Sequence, residues 1–170
     1  MQTYKLSKNR INDIKAILKF KAKKDILKKL PQFEYIYSNG ENLIVSDGVC
    51  LGAIRTSEYE KGFYALNPPG TILIPAPDEI QSMSFPETVS PMLEEIKEIE
   101  LRDFVCPVRF CSILNELPGT WINPENYLKI PEGDYEIGRF RVFKTEKNLG
   151  ACPVIFQNQT FTFAIMPINH

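Results

Sequence analysis

Lys8, Lys15, Lys19, Lys21, Lys23, Lys24, Lys28 and Lys29 crowd the first 29 residues of a 170-residue chain. Ammonium groups gathered in this way attract phosphate without sequence preference, and each contact releases counterions. With Lys5, Arg10 and the two acids Asp13 and Asp25, the segment carries +8, against −9 on the remainder and −1 in total. Such asymmetry marks either a polyanion-binding face on an acidic body or a solvated helix flank balanced by acidic neighbours in the fold. Reading of individual bases would call for Arg, Asn or Gln beside the lysines, and the segment holds little of that. The binding expected of these eight lysines is therefore weak and indifferent to sequence.

Other chemistry finds less support. The single histidine is His170, so no internal imidazole is available as a base or ligand. There is no nucleophile motif and no glycine-rich loop to cradle phosphate. Cys50, Cys106, Cys111 and Cys152 form no C-x-x-C pair and have no neighbouring histidine, which argues against a zinc site. Each sits in an apolar setting and reads as a small core residue. Glu94, Glu95 and Glu98 flank Lys97 and read as a solvated helix face. The expectation is a protein that is not an enzyme and holds no cofactor or metal.

The elements that must position the lysines follow from periodicity. Ser7 is a helix N-cap by type, and Ile11, Ile14, Ile17 and Leu18 make one apolar stripe, so a helix is expected over 7–20. At about 100° per residue, Lys8, Lys15 and Lys19 fall together on one flank of that stripe. Residues 21–29 continue as a basic loop with a last helical turn. Phe33, Tyr35 and Tyr37 alternate with Glu34, Ile36 and Ser38 as a strand, and Asn39-Gly40 turns it. Leu43 to Val45 is the next strand, Asp47-Gly48 a second turn, and Val49 to Ile54 a third strand. Residues 62–77 are rich in Gly and Pro around a short strand, Thr71 to Ile74, and 82–91 read as a connecting loop.

A short helix is expected from Ser90-Pro91, then a strand near Ile99 to Val105 and further strand and turn over 107–121. Asn123 and Pro124 open a short helix to Leu128. Tyr135 to Phe143 is a strand, 144–150 a polar loop, and Cys152 to Phe156 with Thr160 to Met166 a closing hairpin around Asn158-Gln159. Helices against antiparallel sheet make an α+β fold. Trp121, Tyr135, Phe161 and Phe163 are expected in or near its core. The length suits one domain, and the composition is that of an ordinary globular chain at 44% hydrophobic and 24% charged. No apolar stretch is long enough for a membrane span, and the N-terminal residues lack the apolar region of a signal peptide. A cytoplasmic location with reduced thiols is the expectation.

In this order the elements resemble a domain of the bacterial DNA sliding clamp, the β subunit of the replicative DNA polymerase. Ile14 to Leu30 is similar to that family's first helix and the basic turn after it. Asn42 to Leu51 is similar to its apolar strand, Thr-Asp-Gly, His-Arg, Leu pattern. Ile122 to Leu128 is similar to the start of the second-half helix, and Pro153 to Ile168 to the closing strands and Met-Pro-Met ending. The resemblance implies a DNA-clamp-like fold of two pseudo-repeated halves, about 1–90 and 91–170, each with one helix packed on antiparallel sheet. It implies a replication or repair accessory, of the reduced size found in phages or mobile elements. Its partners would be double-stranded DNA, replication or repair proteins, and further copies joined through sheet edges. Met166, Pro167 and Ile168 would border the groove that accepts an apolar peptide in clamps. The chain departs from the family at Val49 and Cys50, where the family has His and Arg near DNA. It also departs at Asn169-His170 and in a second helix whose only lysine is Lys129. It matches one clamp domain where a ring has six. A module that keeps the fold but has lost DNA is the alternative.

Overall fold

Ser7 starts the first helix as its type predicts. Its backbone is extended, and its Oγ accepts the Arg10 N–H at 3.2 Å, filling one of the donors a helix start leaves free. A computed structural model describes residues 2–85, 101–107, 122–139 and 153–166. The first helix, α1, runs Lys8–Ile17 and tightens into a 3-10 turn at Leu18–Phe20. It is followed by α2 (Lys24–Leu27) and a second 3-10 turn, Pro31–Glu34. Two more short helices are α3 (Asp78–Gln81) and α4 (Pro124–Tyr127). In α4, Asn123 Oδ1 accepts the Glu125 N–H at 2.9 Å, the cap expected there.

The described strands form one antiparallel sheet. They are β1 (Tyr4–Lys5), β2 (Ile36–Ser38), β3 (Asn42–Ser46), β4 (Cys50–Arg55), β5 (Gly62–Leu66) and β6 (Ile72–Pro75) in the first part. Then come β7 (Leu101–Pro107), β8 (Asp134–Arg139), β9 (Val154–Gln157) and β10 (Phe161–Ile165). Their order is β1-β6-β5-β2-β3-β4-β10-β9-β8-β7. β2, β3 and β4 form a meander, as do β8, β9 and β10. The two parts join where β4 meets β10, in a register from Ile54 opposite Phe161 to Cys50 opposite Ile165. In β7 the pairing with β8 slips between Arg102 and Val105, leaving Asp103 and Phe104 extra on that strand.

Strand alternation gives the sheet two apolar faces. Leu43, Val45, Cys50, Ile54, Val154, Phe156, Phe163 and Ile165 point one way, into a cluster with Ile14, Ile17 and Phe20. Ile122, Tyr127 and Ile130 belong to the same cluster, so α1 and α4 cover the same face. Ile44, Leu51, Ala53, Ile155 and Ala164 point the other way, into a cluster with Phe33, Phe63 and Phe85 and the half-buried Ile26, Leu27 and Leu30 of the α2 region. Burial of each large side chain contributes roughly 1.5–3 kcal/mol, and Phe20, Phe63, Tyr64, Phe156 and Phe163 are among those fully buried.

Several expectations are corrected. Residues 33–34 are not strand: Pro31 opens a 3-10 turn through Glu34, and β2 begins only at Ile36. Phe33, Tyr35 and Tyr37 do pack into one cluster, but they span two kinds of backbone. Residues 62–66, given no element by the sequence, are the strand β5, with Gly62 at its start. The helix expected over 7–20 is α-helical only to Ile17. The helical turn expected within 21–29 is α2, whereas α3, just before residue 82, was not anticipated. The expected helix from Ser90, and most of the strands and loops over 107–121 and 140–152, lie outside the described residues.

One glycine sets how closely helix and sheet approach. A Cβ on Gly52 of β4 would stand 3.0 Å from Phe20 Cδ2, 3.2 Å from Ile17 Cβ and 3.3 Å from Ile17 Cα. The last of these is helix backbone and cannot swing aside. Gly52→Ala is therefore expected to destabilise the protein by about 1–3 kcal/mol through overpacking. Chemical denaturation measures this, and an unchanged midpoint would contradict the close approach.

Candidate functional site

α1 presents lysines because its other side is committed to the sheet. Ile14 and Ile17 are buried, while Lys8, Lys15 and Lys19 are exposed and make no ion pair with any described residue. Arg10, on another side of the helix, is tied down. It lies 3.6 Å from Asp13 and 3.7 Å from Glu58, and donates to Thr56 Oγ1 at 3.4 Å. The basic helix flank thus carries three ammonium groups, unpaired among the described residues, on the face of the sheet that also bears α4.

The other five lysines do not join them. α2 packs on the opposite face of the sheet, so Lys23, Lys24, Lys28 and Lys29 belong to a separate surface. Lys28 is 3.9 Å from Asp25 and Lys21 is 3.8 Å from Glu34. Exposed pairs of this kind are worth little, but they do partly neutralise the run. Sequence spacing cannot reveal this division, because it comes from the chain crossing the sheet between Phe20, on one face, and Ala22, on the other.

A lysine from the second part stands on the α1 face. Lys129 Nζ donates to Asn126 Oδ1 at 2.8 Å, lies 5.7 Å from the centre of the Phe20 ring, and is 3.9 Å from Asp47 Oδ2. Asp47 opens the turn between β3 and β4. Its Oδ1 accepts the N–H groups of Val49 and Cys50 at 2.9 and 2.7 Å, while Gly48 takes φ +87°, which glycine permits. Ser46 Oγ completes the turn, donating to Cys50 O at 2.8 Å and accepting from Gly48 N–H at 3.0 Å. The sequence marks the Asp-Gly turn, but nothing in it pairs Asp47 with a lysine 82 positions away.

Met166 is half-buried beside this turn and donates its N–H to Val49 O at 3.0 Å. Pro167 and Ile168, the other expected groove residues, lie outside the described residues, as do Trp121, Cys111 and Cys152. Val49, where the resembling pattern has a polar residue, is 49% exposed, and Leu128 is 76% exposed. A groove of about 420 Å³ is lined by Arg55, Asp134, Tyr135, Glu136, Gln157, Asn158 and Gln159. It offers charges of both signs. Among the described residues no three His, Cys, Asp or Glu side chains gather as a metal site would require, and no helix is long and apolar enough to cross a membrane. Tyr135 and Phe163 are buried as expected, and Phe161 partly so.

Cys50 is chemically quiet. Burial, and then the Asp47 carboxylate, push its thiol from 9.0 up to about 12, against a smaller opposing pull from Lys129 and the Met166 N–H. Burial likewise raises Tyr135 from 10.0 to about 12. A thiolate is the reactive form, so Cys50 cannot serve as a nucleophile near neutrality. Comparison with protein-family models, curated proteins and solved structures finds no match for this chain.

The raised values fix a pH dependence. The folded state keeps these two groups neutral where the unfolded chain ionises them, so their contribution is complete below pH 9 and is lost as pH rises towards 12. Denaturation midpoints are expected to fall across that window. The peptide containing Cys50 should stay unalkylated in the folded protein below pH 9, as read by mass spectrometry. Rapid alkylation there would contradict its burial.

Proposed function

We propose that this chain is a non-enzymatic, clamp-like DNA accessory that meets double-stranded DNA weakly and without regard to sequence. The observation that carries the proposal is the flank of α1. Lys8, Lys15 and Lys19 face outward together, unpaired among the described residues, from a helix locked to the sheet by Ile14, Ile17 and Phe20. Rigid presentation favours phosphate contact, since the lysines bring no backbone ordering cost with them.

Topology supports the clamp-like part of the reading. Among the described elements each half has a strand, a helix and a three-stranded meander in that order: β1, α1 and β2–β4, with the short α2 between helix and meander, then β7, α4 and β8–β10. The third meander strands, β4 and β10, pair at the junction, and both helices lie on one face. That is the arrangement expected of two pseudo-repeated halves. β5 and β6 extend the first half and return to β2 and β1. Replication or repair proteins and further copies of the chain would be its partners, and the setting would be the cytoplasm.

A second reading, a module of the same fold that binds proteins and not DNA, is favoured by one observation. Val49 and Leu128 expose apolar surface next to Asp47 and Lys129, on the side where the resembling pattern has polar residues near DNA.

Titration of a fluorescent DNA duplex against the chain separates the two. With three lysine–phosphate contacts, log K should fall with log salt at a slope of about −2.7. Charge reversal of Lys15 and Lys19 to Glu should weaken binding at low salt by at least about tenfold. Absence of binding at low salt, or a slope the reversals do not alter, would reject DNA and leave the protein-binding reading.

A further inference from the structure

Asp47 carries a charge that its turn does not need. Three hairpin turns in the described chain are closed alike, by a side-chain oxygen that accepts the N–H groups two and three residues on. Asn39 does this for Glu41 and Asn42 at 2.9 and 2.7 Å. Asn158 does it for Thr160 and Phe161, again at 2.9 and 2.7 Å. Asp47 does it for Val49 and Cys50 at the same two distances. An amide oxygen suffices at two of the three turns. The carboxylate at the third supplies one further atom, Oδ2, and that atom faces Lys129 at 3.9 Å. The side chains are only 15% and 26% exposed, so solvent screens the pair less than it would at the surface. Asn126 and the Phe20 ring hold the same ammonium from other sides. Lys19, in the 3-10 turn that carries Phe20, is exposed on the same face of the sheet and has no such restraint.

We propose that Asp47 restrains Lys129, and so withholds one positive charge of the helix-bearing face from a polyanion. The inference rests on reading that face as a phosphate-binding surface. Asp47 is in this sense a positioning residue: its charge sets how many ammonium groups the face offers.

Asp47→Asn is the variant that separates the two jobs. The amide oxygen can keep Val49 and Cys50, as Asn39 and Asn158 do at their turns. The NH2 group then stands where Oδ2 was, donor against donor, and Lys129 is released. Duplex titrations between about 50 and 200 mM salt should show Asp47→Asn binding about fivefold tighter at the lower salt, with a slope steeper by about 0.9. Lys129→Gln added to that variant should return both to the values of the unaltered protein, a reversal that loss of structure would not produce. Lys129→Gln alone leaves the turn untouched and should leave the salt slope unchanged, because that charge is already withheld; a slope shallower by about 0.9 would overturn the inference even if Asp47→Asn folds poorly. Binding by the unaltered protein with no change in Asp47→Asn would likewise overturn the inference and leave the phosphate-binding face standing. No binding by the unaltered protein would overturn both.

Discussion

The pairing of β4 with β10 is the contact on which the rest of the structure depends. It joins residues about 110 positions apart, and the loop-closure cost of doing so must be met by what the junction buries. Gly52 lies opposite Phe163 in this ladder. Its missing side chain lets the end of α1 descend onto the sheet, where Phe20 stacks on Phe163 at 5.2 Å between ring centres. Tyr135 meets Phe163 edge-on at 5.9 Å, which brings β8 into the same packing. A helix from the first part, a seam strand from each part and an aromatic from β8 therefore share one core. The direction in which α1 shows its lysines follows from that packing.

What could be read from the sequence was local. Ser7, Asn123 and Pro124 announce helix starts, and Asn39, Asp47 and Asn158 announce turns, because each acts on backbone groups within three residues of itself. The closing hairpin was legible for the same reason. β5 was not, since Gly62 and the prolines after it mask a strand that is stabilised only by its neighbours β2 and β6. The alternation from Phe33 to Tyr37 misled because Pro31 opens a tight helical turn while the three rings still reach one cluster. The candidate site was half legible. Lys8, Lys15 and Lys19 share a flank by helical spacing alone. Their separation from the lysines of α2 depends on which face of the sheet each segment covers, and that is a property of the assembled core.

Charge on the helix-bearing face is thus sorted into two states. Lys8, Lys15 and Lys19 are exposed and pair with no described residue. Lys129 is engaged by a carboxylate, an amide and an aromatic ring, all supplied by elements that meet at the junction. Arg10 is similarly engaged with Asp13 and Glu58. Cations that help hold elements together lose their freedom to serve a ligand, so a count of basic residues overstates the field that a phosphate would meet.

The irregular pairing of β7 bears on how copies of this protein can meet. β7 stands last in the sheet, with β8 as its only partner among the described strands. A regular outer strand is a template for endless lateral growth, the geometry of aggregation and amyloid. Two surplus residues, Asp103 and Phe104, put a step in that template and set an acidic residue within it. A foreign strand can align with the stretch before the step or the stretch after it, but not with both in one unbroken ladder. The step therefore keeps β7, outermost on its side among the described strands, from presenting one unbroken ladder.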